Sequence, residues 1–205
     1  SGTQLSGTLE FGRRVNSLVV NLPLTPDHAV EANEGFTVRL SNPSAGAEIS
    51  IGESAGLVRN DDVVLALQPG GSVTEGSGGT TQIHFTVVRS GDTAGSDSIS
   101  YSVSGAATGA SANGADFVGG VLPVGTLSFA AGETSKDIVL DITTDSQLES
   151  EEGFVVTLGT PGAGATVANA STTGTITNDD HVLNIAAQVG SAPEGANGAT
   201  TTLSY

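Results

Sequence analysis

The chain has 205 residues, with 22 carboxylates against 6 basic side chains, a formal net charge of −16, no cysteine and no tryptophan. That charge disfavours nucleic acid and anionic membranes as partners, and the missing cysteines exclude a disulfide framework and a thiolate zinc site. No apolar run approaches membrane-spanning length, Ser1-Gly2-Thr3 opens no signal peptide, and aromatics at 4% leave the core to Val, Ile, Leu, Ala and a few Phe, which favours strands.

From the N-terminus, half of a repeat comes first. Residues 7–62 align without a gap onto residues 125–180 at a constant shift of 118, with 22 of 56 positions identical. Gly7-Thr8-Leu9 with Phe11 returns as Gly125-Thr126-Leu127 with Phe129, and Asn60-Asp61-Asp62 returns as Asn178-Asp179-Asp180. After each close the sequence restarts alike, with Val64-Leu65 and Glu75-Gly76 after the first and Val182-Leu183 and Glu194-Gly195 after the second. A module of this length is therefore repeated in tandem. Residues 1–62 are read as the C-terminal half of one module, 63–180 as a complete module, and 181–205 as the N-terminal strands of a third. The two half-modules leave unpaired edges, so self-association through those edges is expected.

Within the complete module, seven apolar segments bounded by Gly, Asn, Asp or Ser follow one another near residues 63–68, 81–88, 98–103, 126–129, 136–143, 153–158 and 172–177. Ile83-His84-Phe85-Thr86-Val87 alternates apolar and polar, the period of a half-buried strand. The pattern predicts an all-β protein, an immunoglobulin-like, seven-stranded antiparallel β-sandwich in tandem copies.

If the seven strands run alternately up and down, the first, third, fifth and seventh finish at the same end. Glu75 follows the first, Asp116 the third, Asp145 to Glu152 the fifth, and Asp179 and Asp180 the seventh. Eight carboxylates, Glu151 included, thus converge on one pole. Carboxylates so crowded repel one another unless a hard cation sits among them. Calcium, with about six to eight oxygen ligands from flexible loops, suits this set, whereas magnesium demands a tighter octahedron and zinc would want His or Cys. The first copy repeats the pattern as Asp27, Glu31, Glu34, Asp61 and Asp62, while positions between them vary.

Five stretches carry a resemblance: Val73-Thr74-Glu75-Gly76, Gly114-Ala115-Asp116-Phe117, Gly125 to Thr134, Asp145 with Glu149 and Glu152-Gly153-Phe154, and Thr175-Ile176-Thr177-Asn178-Asp179-Asp180. In these the chain resembles the Calx-beta family of sodium-calcium exchanger regulatory domains, an integrin subunit and large bacterial surface and secreted proteins. The resemblance implies calcium at the pole facing the following domain, held by Glu75, Asp116, Asp145, Glu149, Glu152, Asp179 and Asp180, with the backbone carbonyl of Gln147 as an addition. Exchanger-type members carry further acids where this chain has Thr144 and Asn178, which implies fewer ions or weaker binding. The first copy lacks its own counterparts of Glu75 and Asp116, so its site is expected to be incomplete, with Glu194 as a candidate stand-in for the first.

The expected function is a calcium-binding structural and interaction module of a large extracellular repeat protein, secreted or on a cell surface. Calcium there rigidifies module junctions for adhesion or for a stalk. Its partners are neighbouring modules of the same chain, and the adhesion target stays open. The alternative is a calcium-sensing regulatory module that changes shape to control an attached domain. An enzyme is not expected: His28, His84 and His181 are scattered, no nucleophile elbow occurs, and Glu149 and Glu152 lack aromatic sugar platforms.

Overall fold

Each of the seven alternating segments forms a strand in the computed structural model, which describes residues 5–162 and 164–186. In chain order the elements are β1 (Glu34–Arg39), β2 (Glu53–Val58), β3 (Val63–Leu67), β4 (Ser72–Thr74), β5 (Thr80–Gly91), β6 (Asp97–Gly105) and β7 (Ala110–Ser111). A one-turn 3-10 helix (Gly114–Asp116) then precedes β8 (Val124–Phe129), β9 (Ser135–Thr143), β10 (Glu152–Leu158), β11 (Ala165–Asn169) and β12 (Ser171–Thr177).

From β3 onward the strands make a sandwich. One sheet has the order β11-β3-β5-β9, and the other runs β4-β12-β10-β6-β8 with β7 also on β10. Alternation puts Leu65, Phe85, Val87, Ile138 and Leu140 of the first sheet inward, against Ile99, Phe129, Phe154 and Val156 of the second. Phe154 is the hub. Its ring meets Phe85 edge-on at 5.7 Å across the sandwich and Phe117 at 5.5 Å. Burying such a ring stabilises the fold by about 2–3 kcal/mol, and the edge-to-face contacts add to it.

The all-antiparallel expectation needs one correction. The long strands pair antiparallel, but β4 runs parallel to β12, β11 parallel to β3, and β7 parallel to β10. Two of these short strands arise from sheet switching, in which β3 continues into β4 and β11 into β12 on the opposite sheet. Pro69-Gly70-Gly71 makes the first crossing, and a Cβ on Gly70 would collide with the Thr173 carbonyl and the Phe85 ring. β4 and β7 are too short for a period-two signature and β11 does not alternate in burial, so the sequence pattern misses them.

Residues 5–62 behave differently. β1 and β2 form a two-stranded ribbon whose register, Glu34 opposite Val58, reproduces that of β10 and β12, Glu152 opposite Ile176, at the same shift of 118. The expected opening strand at Gly7 to Phe11 is not a strand, nor are residues 18–25, although their counterparts lie in β8 and β9. The reason is pairing. β8 pairs with β6 and β9 with β5, strands that the first copy lacks, whereas β10 and β12 pair with each other. Within the expected third module, residues 187–205, including Glu194, lie outside the described residues.

Candidate metal centre

β3, β6, β9 and β12 all end at one pole, and the sheet switch after β3 carries the chain through β4 to Glu75 there. Glu75 is a buried carboxylate, 6% exposed. Its backbone N–H donates to the Thr177 carbonyl at 3.0 Å and its carbonyl accepts the Thr81 hydroxyl at 2.8 Å, so both neighbouring strands fix it. Gly76, at φ 86, turns the chain sharply and donates its N–H to Asp179 Oδ1 at 2.9 Å.

Asp116 is delivered by the 3-10 turn. Asn113 Oδ1 accepts the Ala115 N–H at 3.0 Å while Asp116 Oδ2 accepts the Asn113 N–H at 2.6 Å, a reciprocal cap that aims the acid. The next residue, Phe117, is fully buried against Phe154 and anchors the turn to the core.

The loop from Asp145 to Glu151 has no strand pairing, and hydrogen bonds shape it. Asp145 Oδ1 accepts the Gln147 N–H at 2.7 Å, and Oδ2 accepts Gln147 Nε2 at 3.3 Å. The Glu149 N–H donates to Asn178 Oδ1 at 3.0 Å. Glu151 is exposed, whereas Glu152 is half-buried at the start of β10.

Electrostatics tie these groups together. Burial, then the charges of Glu149, Asp145, Asp180 and Asp116, raises the Glu75 carboxyl above its ordinary value. Burial, followed by Asp145, Asp116 and Asp180, raises Glu149. Glu152 is pushed up to about 7 by burial, by the charge of Asp116 and a hydrogen bond with it, and by Glu149 and Glu75. All three shifts share one sign because burial and, after it, the like charges of the pole both raise a carboxyl. None of the ion pairs among the described residues involves a carboxylate of this pole.

The donor set fits a hard cation. The decisive observation is Asp180 Oδ2, a buried carboxylate oxygen with no hydrogen-bond partner. A desolvated oxygen without a partner is costly, and a cation is the group that relieves it while also offsetting the repulsion on Glu75. The acidic side chains of the pole offer only oxygen donors, which suits calcium over zinc. Among the described residues no three His, Cys, Asp or Glu side chains lie close enough together to hold a metal ion as they stand.

The first copy builds the same loop. Asp27 Oδ1 accepts the Ala29 N–H at 2.8 Å and Asn60 Oδ1 accepts the Glu31 N–H at 2.9 Å, each bond the counterpart of one in the complete module. Asp27, Glu31, Glu34, Asp61 and Asp62 line a cleft of about 620 Å³ with Leu24 and Leu57. His28 Nδ1 lies 3.6 Å from Asp62 Oδ1. The hydrogen bonds of Asn60, Asn113 and Asn178 were invisible as functional signals in the pattern of acids alone.

A family model, the Calx-beta domain, matches residues 3–63 and again residues 59–181. Among solved structures, the chain is similar to the apo form of the Calx CBD1 domain, at 27% identity over 58% of this chain and 99% of that one, with a TM-score of 0.49. It is also similar to CBD12 from CALX1.2, at 28% identity over 58% of this chain and 46% of that one, TM-score 0.49. A third structure, the calcium binding domain CBD12 of CALX1.1, is 28% identical over 57% of this chain and 46% of that one, TM-score 0.48. This chain thus spans about half of the two CBD12 structures.

Proposed function

The chain belongs to the Calx-beta domain family, and on that premise we propose that its complete module binds calcium at the pole of Glu75, Asp116, Asp145, Glu149, Glu152, Asp179 and Asp180. The observation that carries this reading is the orphaned Asp180 Oδ2 beside a buried, uncompensated Glu75. When bound, calcium supplies positive charge and coordination sites for about six to eight oxygens. The chain's own residues do the rest. Asp179 is held by the Gly76 N–H, Asp116 by its reciprocal cap, and the loop acids by Asn178, so the ligands approach from four separate connections.

The module works as a spacing and binding element of an extracellular repeat protein, and calcium stiffens its junctions. The close of one module is fused to the start of the next, since β3 begins at Val63 immediately after Asp62. Charge neutralisation at Asp61-Asp62 therefore acts immediately before the following sheet, which begins at Val63. Neighbouring modules are its partners, and the two-stranded ribbon of β1 and β2, with no further strand paired to it among the described residues, favours self-association. Among the described residues no helix is long and apolar enough to cross a membrane.

Calorimetry with calcium against a chelated blank tests the proposal, with affinity separating its two forms. A dissociation constant on the order of millimolar fits a stalk bathed in extracellular calcium, and one below about a micromolar fits a sensor. No heat and no rise in melting temperature would end both. Sedimentation at rising concentration checks self-association, which a monomer throughout would refute.

A further inference from the structure

Asn60 and Asn178 occupy the position where a further acid would add charge, yet each uses both ends of its amide. Asn60 Oδ1 accepts the Glu31 N–H at 2.9 Å and its Nδ2 donates to the Asp62 carbonyl at 3.0 Å. Asn178 repeats both bonds, accepting from the Glu149 N–H at 3.0 Å and donating to the Asp180 carbonyl at 2.8 Å. An Asp in either place would keep the first bond and lose the second, because an ionised carboxylate has no donor.

The Asp62 carbonyl has a second donor. The Asp92 N–H, in the loop after β5 of the following module, reaches it at 2.9 Å. Gly91, at φ 93, permits this approach, since a Cβ there would overlap the Asp62 carbonyl and press on Val30. A continuous path thus runs from Glu31 in the acidic loop of one module, through both ends of the Asn60 amide and the Asp62 carbonyl, to Asp92 of the next.

We propose that Asn60 is a positioning residue that couples the acidic loop of one module to the orientation of the module after it. The mechanical path stands on the hydrogen bonds alone, and only its control by calcium rests on the function proposed above. With Asn at this position the loop, the closing Asp pair and the next sheet move as one body. Asp opens the clamp onto the Asp62 carbonyl and Ala also releases the Glu31 N–H, which leaves only the Asn60 N–H bond to Asn33 Oδ1, at 2.8 Å, to hold the loop.

The absence of cysteine permits a direct test. Nitroxide labels at Thr37→Cys in β1 and Thr126→Cys in β8, both exposed, report the distance distribution between the copies in the full chain by pulsed electron resonance. Asn60→Asp and Gly91→Ala, which cut the path at different bonds, are each expected to widen that distribution roughly twofold, in calcium and in chelator alike. Asn178→Ala should leave it unchanged. Amide spectra of β1 and β2 in each variant establish that the ribbon is intact, and Gly91→Ala lies outside residues 5–62 should Asn60→Asp unfold them. Unchanged widths in both path variants would overturn the coupling. A parent chain whose width ignores calcium while both path variants broaden would overturn calcium control and leave the coupling standing.

Discussion

The two copies of the closing half, residues 7–62 and 125–180, share a hairpin register, loop hydrogen bonds and acid positions, yet one is buried and the other exposed. Phe36 lies over Gly56 as Phe154 lies over Gly174, with the ring occupying the space a Cβ would need in each case. Phe36 is nevertheless 38% exposed and Phe154 fully buried. Local sequence dictates the ribbon and the loop, while burial and the raised carboxyls of the complete pole require β5, β6 and the opposing sheet. Burial is thus a property of the assembled module and not of the acidic motif.

The sharpest way to break this comparison is to truncate the two rings. Phe154→Ala is expected to cost about 3–5 kcal/mol in urea unfolding, while Phe36→Ala costs under about 1 kcal/mol, since it opens no cavity in a closed core. Equal losses would mean that the first copy also buries its ribbon.

Calcium affinity should split the copies next. Asp180→Asn removes the carboxylate with the buried, unpartnered oxygen, and is expected to weaken the tighter calcium phase at least about tenfold by calorimetry. Asp62→Asn, the counterpart in the incomplete site, should leave that phase within about twofold.

A smaller effect follows from proton linkage. Glu152 titrates at about 7 in the folded chain and near the ordinary carboxylate value when unfolded. Between those values the folded state binds more protons, so metal-free stability is highest at low pH in this window and falls as pH rises through about 7. Thermal melts in chelator from about pH 5 to pH 8 should show that fall, and Glu152→Gln should flatten it, with Glu34→Gln as control. Calcium, by taking the proton's place, should reverse the trend. A metal-free melting temperature that climbs over this range would contradict the assignment.

The smallest expected change is at Asn178. Asn178→Ala removes no ligand but frees the Glu149 N–H and the Asp180 carbonyl, and should weaken calcium by roughly threefold to tenfold, consistent with losing one or two hydrogen bonds. An unchanged affinity would show that the loop holds its shape without the amide.

Much of the fold was legible because alternation at Ile83, Phe85 and Val87 or Ile138, Leu140 and Ile142 survives in any half-buried strand. The switching strands β4 and β11 were not, because three residues carry no period, Ala165–Asn169 does not alternate in burial, and their placement depends on Gly70 and Ala170 changing sheets. Strand parity placed Glu75, Asp116 and Asp180 at one pole, where their charges act on one another. Asn178 was read only as a missing negative charge. Its role as a clamp lies in backbone partners that no spacing reveals, although its recurrence as Asn60 was a signal available in the sequence.

The most direct test of the central claim is a calcium titration of the full chain at pH 7 in two buffers of different ionisation enthalpy, with Glu152→Gln and Asp180→Asn alongside. The expected result is saturable binding with proton release in the parent chain, less release in Glu152→Gln, and loss of the tighter phase in Asp180→Asn. Binding heat indistinguishable from the chelated blank, or identical isotherms in the parent and Asp180→Asn, would contradict it.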